Sequence, residues 1–323
     1  MSSRLLIGVD IGGTKTALIS ALDPPSMLQR IEFPTRPARG PGPALDSIKR
    51  GIHELLSADV ARGAELAAIG VSCGSPLDPI RGVIQAPPNL PTWVDVPITA
   101  ILQQEFGANC SLENDANAGA VAEHRFGAGQ GCRHMIFITM GTGFGAGIIA
   151  DGRLYLGAND NAGEIGHVRL TRSGPVGYHK AGSAEGWASG GGMAQVAERM
   201  VAAARRRREP TSLARLRKGE AITARHVGQA AQAGDAVALR IVRNTARRLG
   251  EALAILVDLF NPERIVIGGL AMRLGDLLLE PARQVIRREA LRVSAATCEV
   301  IPAALGERIG DVASLCVAMG LPV

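Results

Sequence analysis

The sequence predicts an α/β protein of two domains, and three observations support this prediction. The chain has 323 residues, of which 46% are hydrophobic and 20% charged, so it can bury two apolar cores. Short β-rich runs alternate with amphipathic stretches of helical length, as in α/β folds. A unit of strand, glycine turn and strand occurs over residues 4–20 and again over 134–150. This weak duplication predicts two related halves.

Composition excludes several classes of protein. The 40 glycines make up about 12% of the 323 residues, against an average of about 7%. This excess predicts many turns and close backbone approaches. The five cysteines are scattered without a CxxC pair, which indicates neither a disulfide framework nor a thiolate metal site and favours a reducing cytoplasm. No apolar run reaches the roughly 18 residues of a membrane span. The net charge of +5 is only a weak sign of a polyanionic partner, so neither nucleic acid nor membrane is predicted as a partner.

In the first half, an apolar run over Arg4–Asp10 meets a turn at Gly12 and Gly13. A second apolar run, over Ala17–Ser20, returns from this turn, so the segment predicts a hairpin. Apolar runs predict the later strands, and helical periodicity predicts the helices. The next predicted elements are a strand over 27–33, a helix over 44–61, a strand over 67–73, a helix over 96–106, a strand over 110–113 and a helix over 115–126.

The second half opens with the same pattern. A strand over 134–140, a glycine turn over 141–145 and a strand over 147–150 repeat the hairpin, and aligning Asp10 with Thr139 places Gly12 on Gly141. The elements predicted after it are helices over 184–207 and 235–260, a strand over 264–267, a helix over 274–292, a strand over 298–302 and a last helix from residue 309.

The first glycine turn has two possible roles. Glycines at 12 and 13 let backbone N–H groups approach an anion, while Thr14 and Lys15 add a hydroxyl and a positive charge. Two glycines are also common in a plain hairpin turn, so this segment alone leaves phosphate binding and hairpin closure both open. Neither a Walker A loop nor a GxGxxG motif is present.

Two further glycine sites favour phosphate binding, and their residues are Gly141, Thr142, Gly143, Gly268 and Gly269. Three strand-terminal glycine sites on one α/β scaffold can surround a nucleotide with backbone N–H groups. Asp10, beside the first turn, is placed to hold Mg²⁺ through water. Together these features predict phosphoryl transfer.

Six ordered motifs cover most of the chain. They are DIGGTK at 10–15, ENDANAGAVAEHRFG at 113–127, MGTGFGAGII at 140–149, AGEIGH at 162–167, EGWASG at 185–190 and NPERIVIGG at 261–269. This series resembles the ROK (repressor, open reading frame, kinase) family over about residues 4–320. The resemblance implies a sugar kinase with the two-domain, ribonuclease H-like fold of actin, hexokinase and the Hsp70 ATPase, which has an interdomain cleft. The domains expected are residues 1–117 plus 309–323 and residues 118–308.

The resemblance also assigns roles to residues. It implies that Asp115 is the catalytic base, although the local sequence by itself favours a helix N-cap at this position. The sugar contacts implied are Asn89, Asn114, Asp115, Glu164, His167 and Glu185. Ser75 and Pro76 depart from the family pattern, which leaves the specificity of that edge of the sugar open. ATP and Mg²⁺ are the implied cofactors, and a homodimer is the implied assembly.

One departure concerns the structural zinc of the family. The resemblance places Val176, Tyr178 and Ser183 at the three cysteine ligand positions, and His167 alone cannot hold tetrahedral zinc. We therefore expect no zinc, and we expect packing around Tyr178 and Trp187 to hold the loop over 170–182.

Several functions remain open within the resemblance. Phosphorylation of glucose at O6 is the leading expectation. The alternatives are N-acetylmannosamine, N-acetylglucosamine, fructose or allose as acceptor, and polyphosphate as donor. A sugar-responsive transcriptional repressor is disfavoured, because the first glycine turn begins by residue 10 and leaves no room for an N-terminal winged helix. A non-catalytic sugar-sensing regulator is disfavoured, because Asp10, Asp115 and the glycine turns are intact. The run Arg205–Arg208 predicts a solvated helix end.

Overall fold

The protein, described over residues 4–61, 63–216 and 220–320 by a computed structural model, divides into two compact units. The first unit comprises residues 1–130, 153–162 and 305–323, and the second comprises residues 131–152 and 163–304. Each unit has its own sheet and its own apolar core. Within the described ranges, no helix is both long and apolar enough to span a membrane.

The elements follow one another in α/β order. The strands are β1 (Arg4–Ile11), β2 (Lys15–Ala21), β3 (Gln29–Pro34), β4 (Glu65–Cys73), β5 (Leu77–Asp78), β6 (Val83–Ile84), β7 (Asn109–Asn114), β8 (Met135–Met140), β9 (Phe144–Ala150), β10 (Arg153–Leu154), β11 (Val176–Gly177), β12 (Lys180–Ala181), β13 (Arg264–Ile267) and β14 (Glu299–Pro302). The helices are α1 (Pro41–Ser57), α2 (Ile98–Phe106), α3 (Asp115–Phe126), α4 (Ala184–Ala188), α5 (Gly190–Arg206), α6 (Ala224–Gln232), α7 (Ala236–Phe260), α8 (Leu270–Leu274), α9 (Asp276–Glu289), α10 (Arg292–Thr297) and α11 (Ile309–Ala318).

The two sheets share a local topology. In the first unit the strand order is β3-β2-β1-β4-β7, with β1 antiparallel to β2 and parallel to β4. Within the second unit the order is β9-β8-β13-β14, with β8 antiparallel to β9 and parallel to β13. Each sheet therefore contains a hairpin whose first strand also pairs with a parallel neighbour. The duplicated strand, glycine turn and strand unit predicted from the sequence is confirmed.

Glycines allow α11 to lie close to the first sheet. Gly8 of β1 and Gly70 of β4 are register partners. A Cβ at Gly8 would overlap the Ser314 hydroxyl, and a Cβ at Gly70 would overlap the backbone of Ser314 and Ala318. Two of the many glycines are thus required by a close approach of helix and sheet.

The long helix α7 lies in the core of the second unit. Its N-cap is Asp235, whose carboxylate accepts hydrogen bonds from the Val237 and Ala238 N–H groups at 3.0 and 3.1 Å. Its C-cap is Asn261, in the left-handed conformation with φ of 44°. Between these caps, buried aliphatic side chains recur at helical spacing and pack into the core.

Two helices predicted as continuous are divided in the structure. The helix predicted over 184–207 is broken at Ser189, whose ψ is 167° and whose hydroxyl accepts a hydrogen bond from the Gly192 N–H at 2.9 Å. The helix predicted over 274–292 is preceded by α8 and begins only after Gly275, which has φ of +52°. The Ser189 cap interrupts the first helix and the Gly275 conformation sets the start of the second, although the apolar periodicity continues through both positions.

The domain boundary predicted after residue 117 lies inside α3. All of α3 belongs to the first unit, where it packs against α11.

A side chain covers the outer edge of the second sheet. The N–H groups of Glu299, the first residue of β14, and of Ala303, just after this strand, donate to the carbonyls of Glu263 and Ile267. Val300 therefore points to the other edge, where its carbonyl oxygen accepts hydrogen bonds from Nε and Nη2 of Arg283 at 2.9 and 2.7 Å. Since Arg283 is on α9, a side chain of this helix satisfies one carbonyl on the open edge of β14.

Candidate functional site

The first glycine turn connects β1 to β2 and is closed by one backbone hydrogen bond. The Gly12 N–H donates to the Lys15 carbonyl oxygen at 3.0 Å. Asn89 packs against this turn, because a Cβ at Gly13 would lie 2.8 Å from the Asn89 Cβ. The structure thus brings Asn89, a predicted sugar contact, beside the predicted phosphate turn.

Asp10 is the half-buried carboxyl at the end of β1. Burial, and then the nearby negative charges of Asp115 and Asp311, raise its pKa from the ordinary 3.8 to about 7, against the opposing effect of Lys15 and Arg30. Gly310, in the first turn of α11, leaves room for this carboxyl, since a Cβ there would overlap it. A carboxyl whose charge is disfavoured in this way is suited to a divalent cation.

Asn114, and not Asp115, caps helix α3. The Asn114 Oδ1 accepts hydrogen bonds from the Ala116 and Asn117 N–H groups at 2.9 and 3.2 Å, and its Nδ2 donates to the Ser75 hydroxyl at 2.7 Å. Asp115 therefore occupies the first helical position, where the residue is exposed, and partial desolvation of its carboxyl raises the pKa. The capping role that the local sequence favours for Asp115 is wrong.

Glu113, at the end of β7, forms hydrogen bonds to the first residues of the same helix start. This buried carboxyl accepts hydrogen bonds from the Asn114 N–H at 2.8 Å and from Nδ2 of Asn117 at 3.0 Å. Burial raises the pKa of Glu113, while these two hydrogen bonds lower it. The sequence pattern did not indicate this residue as part of the site.

A row of ion pairs leads from the glycine turn to α11. Lys15 Nζ lies 2.8 Å from the Glu32 carboxylate, which also pairs with Arg30 at 2.6 Å. Arg30 Nε in turn donates to Asp311 at 2.8 Å. The charge of Lys15 is therefore already shared with Glu32, whose side chain is 36% exposed against 57% for that of Lys15.

The second glycine turn, over 141–143, is held by the start of α5. The Gly190 N–H donates to the Gly141 carbonyl at 2.8 Å, and the Gly191 N–H donates to the Thr142 carbonyl at 3.3 Å. Gly269 approaches the Met140 carbonyl so closely that no Cβ would fit, and its φ is +66°. The predicted glycine sites Gly141–Gly143 and Gly268–Gly269 are therefore neighbours within the second unit.

Of the three predicted sugar contacts of the second unit, Glu185 lies beside this turn. The Glu185 carboxylate accepts a hydrogen bond from the Phe144 N–H at 3.2 Å and would lie 3.0 Å from a Cβ at Gly143. Glu164 immediately precedes a short 3-10 helix that ends at His167, and the His167 N–H donates to the Glu164 carbonyl at 3.1 Å.

The zinc positions of the family hold no ligand set here. The Tyr178 ring packs edge-on against His167 with centroids 4.8 Å apart, and Lys180 Nζ donates to the His167 carbonyl at 2.7 Å. The Ser183 hydroxyl is used as the N-cap of α4, accepting from the Gly186 N–H at 3.1 Å. Across the described residues, no group of three or more His, Cys, Asp or Glu side chains could hold a metal. These side chains do not fit tetrahedral zinc.

The predicted site residues form two groups. In the first unit the structure places Asp10, Gly12, Gly13, Thr14, Lys15, Asn89, Asn114 and Asp115. In the second unit it places Gly141, Thr142, Gly143, Glu164, His167, Glu185, Gly268 and Gly269. Bare glycine backbone fits a triphosphate, and the Asp10 carboxyl fits Mg²⁺.

Comparison with known proteins identifies the family. The ROK family profile matches residues 6–318. The chain belongs to the ROK family. A curated ROK relative, the glucokinase of Halalkalibacterium halodurans, is 35% identical over 312 residues, which are 96% of this chain and 93% of that protein.

Both kinases and repressors occur among the ROK relatives. The crystal structure of a Streptomyces griseus ROK glucokinase in complex with glucose and AMPPNP matches with a TM-score of 0.82 and 33% identity, covering 98% of this chain and 99% of that chain. A xylose repressor of Caldicellulosiruptor bescii is 29% identical over 88% of this chain and 70% of its own. The ROK kinases confirm the predicted actin-like ATPase fold.

Proposed function

We propose that the protein is an ATP-dependent hexose kinase that transfers the γ-phosphoryl group of ATP to O6 of glucose. The observation that carries this proposal is the arrangement at the start of α3. Asn114 caps the helix, so the Asp115 carboxyl is not required for capping, and its raised pKa suits a general base. Similarity to glucokinases over nearly the whole chain supports glucose as acceptor.

In the proposed reaction, Asp115 accepts the proton of the sugar O6 hydroxyl as O6 forms its bond to the γ-phosphorus. The bond between that phosphorus and the β,γ-bridging oxygen breaks, and ADP leaves with the electron pair. The proton passes from Asp115 to solvent after product release. Sugar 6-phosphate, ADP and one proton are thus formed from sugar and ATP.

The remaining predicted residues position the two substrates. Backbone N–H groups of the two glycine turns would receive phosphate oxygens, with Lys15 adding partial positive charge. Asp10 would hold Mg²⁺ through water, and the ion supplies neutralisation of the phosphate charge when it is bound. Asn89, Asn114, Glu164, His167 and Glu185 would bind the sugar hydroxyls.

A coupled ADP-release assay tests this proposal. Glucose, N-acetylmannosamine, N-acetylglucosamine, fructose and allose serve as acceptors, with ATP or polyphosphate as donor. We expect glucose with ATP to give the highest kcat/KM. Asp115→Asn should lower kcat by about 100-fold or more, whereas the matched control Asp46→Asn, at an exposed carboxyl of α1, should keep parental activity.

The outcomes separate the functional classes. If another sugar or polyphosphate gives the highest activity, the protein is still a kinase, but its acceptor or donor differs from the one proposed. If no sugar stimulates ADP release while a sugar still raises the melting temperature, the protein is a sugar-binding regulator and the kinase proposal is wrong. If Asp115→Asn keeps most of the activity, the base is a different residue.

A further inference from the structure

Thr35, the residue after β3, contacts the first glycine turn at two points. Its hydroxyl donates to the Gly12 carbonyl oxygen at 2.7 Å, and its N–H donates to the Thr14 carbonyl oxygen at 3.1 Å. One residue therefore holds carbonyl groups on both sides of Gly13.

A second threonine lies behind Thr35. The hydroxyls of Thr16 and Thr35 are 2.9 Å apart, and both side chains are buried, with 0% and 3% of each residue exposed. A hydroxyl has one hydrogen, and that of Thr35 is donated to Gly12, so Thr16 must be the donor between them. A buried chain of hydrogen bonds thus runs from Thr16 through Thr35 to the Gly12 carbonyl, and each bond polarises the next.

These linked hydrogen bonds set the direction of the Gly13 N–H group. In a trans peptide the carbonyl of Gly12 and the N–H of Gly13 point in opposite directions. Because Thr35 holds the Gly12 carbonyl, the Gly13 N–H points away from Thr35. Among the described residues this N–H has no hydrogen-bond partner. Glycine has no intrinsic preference that would keep the peptide in this orientation.

We propose that Thr35, supported by Thr16, is a positioning residue that locks the glycine turn so that the Gly13 N–H is presented to a phosphate oxygen of the nucleotide. The proposal rests on the proposed kinase function for the identity of the ligand. Thr35 acts through the turn and needs no contact with the nucleotide. The test must therefore measure nucleotide binding and the ordering of the glycine turn separately from the rate of phosphoryl transfer.

The first experiment compares steady-state kinetics of three variants. Thr35→Val keeps the side-chain shape and removes the hydroxyl, and we expect it to raise KM for MgATP about tenfold while KM for the sugar changes by less than about twofold. Thr35→Ser keeps the hydroxyl and should return KM for MgATP to within about threefold of the parent. The matched control is Thr297→Val, since the Thr297 hydroxyl also donates to a backbone carbonyl, that of Val293 in α10.

The second experiment measures backbone hydrogen exchange without nucleotide over residues 10–16. Thr35→Val should accelerate exchange in this segment and leave α7 unchanged. If the parent phosphorylates no sugar, the kinase proposal fails, yet faster exchange confined to this segment still supports the lock. Unchanged exchange in Thr35→Val, or equal changes in the KM values of both substrates, would overturn it. If Thr35→Val does not fold, Thr16→Val takes its place with the same expected pattern.

Discussion

Asp10 is a carboxyl whose charge the folded protein disfavours, since its pKa is raised from 3.8 to about 7. Between these values the folded protein binds a proton that the unfolded chain has lost. The free energy of unfolding therefore falls as the pH rises through this window, and the loss is complete above the folded pKa. A bound divalent cation would remove this penalty, so ligand binding and stability are coupled at this residue.

Asp10→Asn should therefore stabilise the protein in Mg²⁺-free buffer. At about pH 8 we expect the free energy of unfolding to rise by about 2 to 4 kcal/mol, and at about pH 3 by much less, because the carboxyl is then largely protonated in both states. Thermal unfolding across this pH range measures the gain. Asp46→Asn, which removes an exposed carboxyl, is the control, and an equal gain for Asp10→Asn at both pH values would contradict the assigned cause.

Helix α5 acts as a support for the second glycine turn. Its first two N–H groups are donated to the turn carbonyls of Gly141 and Thr142, and the next is taken by the Ser189 hydroxyl. The first three N–H groups of this helix thus have hydrogen-bond acceptors within the protein. Gly190 and Gly191 lie at this contact, where a Cβ would come within 2.8 and 3.3 Å of the Gly141 and Thr142 carbonyl oxygens.

Gly190→Ala should disturb this support. The new Cβ would lie 2.8 Å from the Gly141 carbonyl oxygen, so the turn must shift. We expect KM for MgATP to rise by about fivefold or more, with a loss of about 1 kcal/mol in stability. Gly42→Ala is the matched control in the first turn of α1, where a Cβ meets nothing within 4 Å. Unchanged kinetics in Gly190→Ala would show that the turn tolerates the shift.

Elements with strong local signals could be predicted from the sequence, and long-range side-chain contacts could not. The helix over Asp115–Phe126 has the predicted bounds, because the signals that start and end it are local. It follows directly on a strand and the capping residue Asn114, and it ends before Gly127. The break at Ser189 was missed, since a serine within an apolar period can lie in a helix or cap one. The bond from Thr35 to Gly12 links residues 23 positions apart through a hydroxyl, for which no sequence pattern exists.

For the whole molecule, folding should not depend on zinc. The hairpin of β11 and β12 is held by the Tyr178 contact with His167 and by the Lys180 hydrogen bond, neither of which uses a metal. We expect EDTA to leave the melting temperature within about 1 °C of the untreated protein, whereas removing a structural zinc would lower it by many degrees. Elemental analysis that finds one zinc per chain would contradict this prediction.

The contact between Arg283 and Val300 also bears on strand pairing between molecules. An open strand edge is a template on which a second chain can polymerise, and here the outward carbonyl of β14 is already occupied by a guanidinium. The Asp276 carboxylate holds the same guanidinium at 3.0 Å, so the cover is itself anchored. The guanidinium therefore occupies one hydrogen-bonding position on this edge, at which a strand of another molecule would otherwise pair.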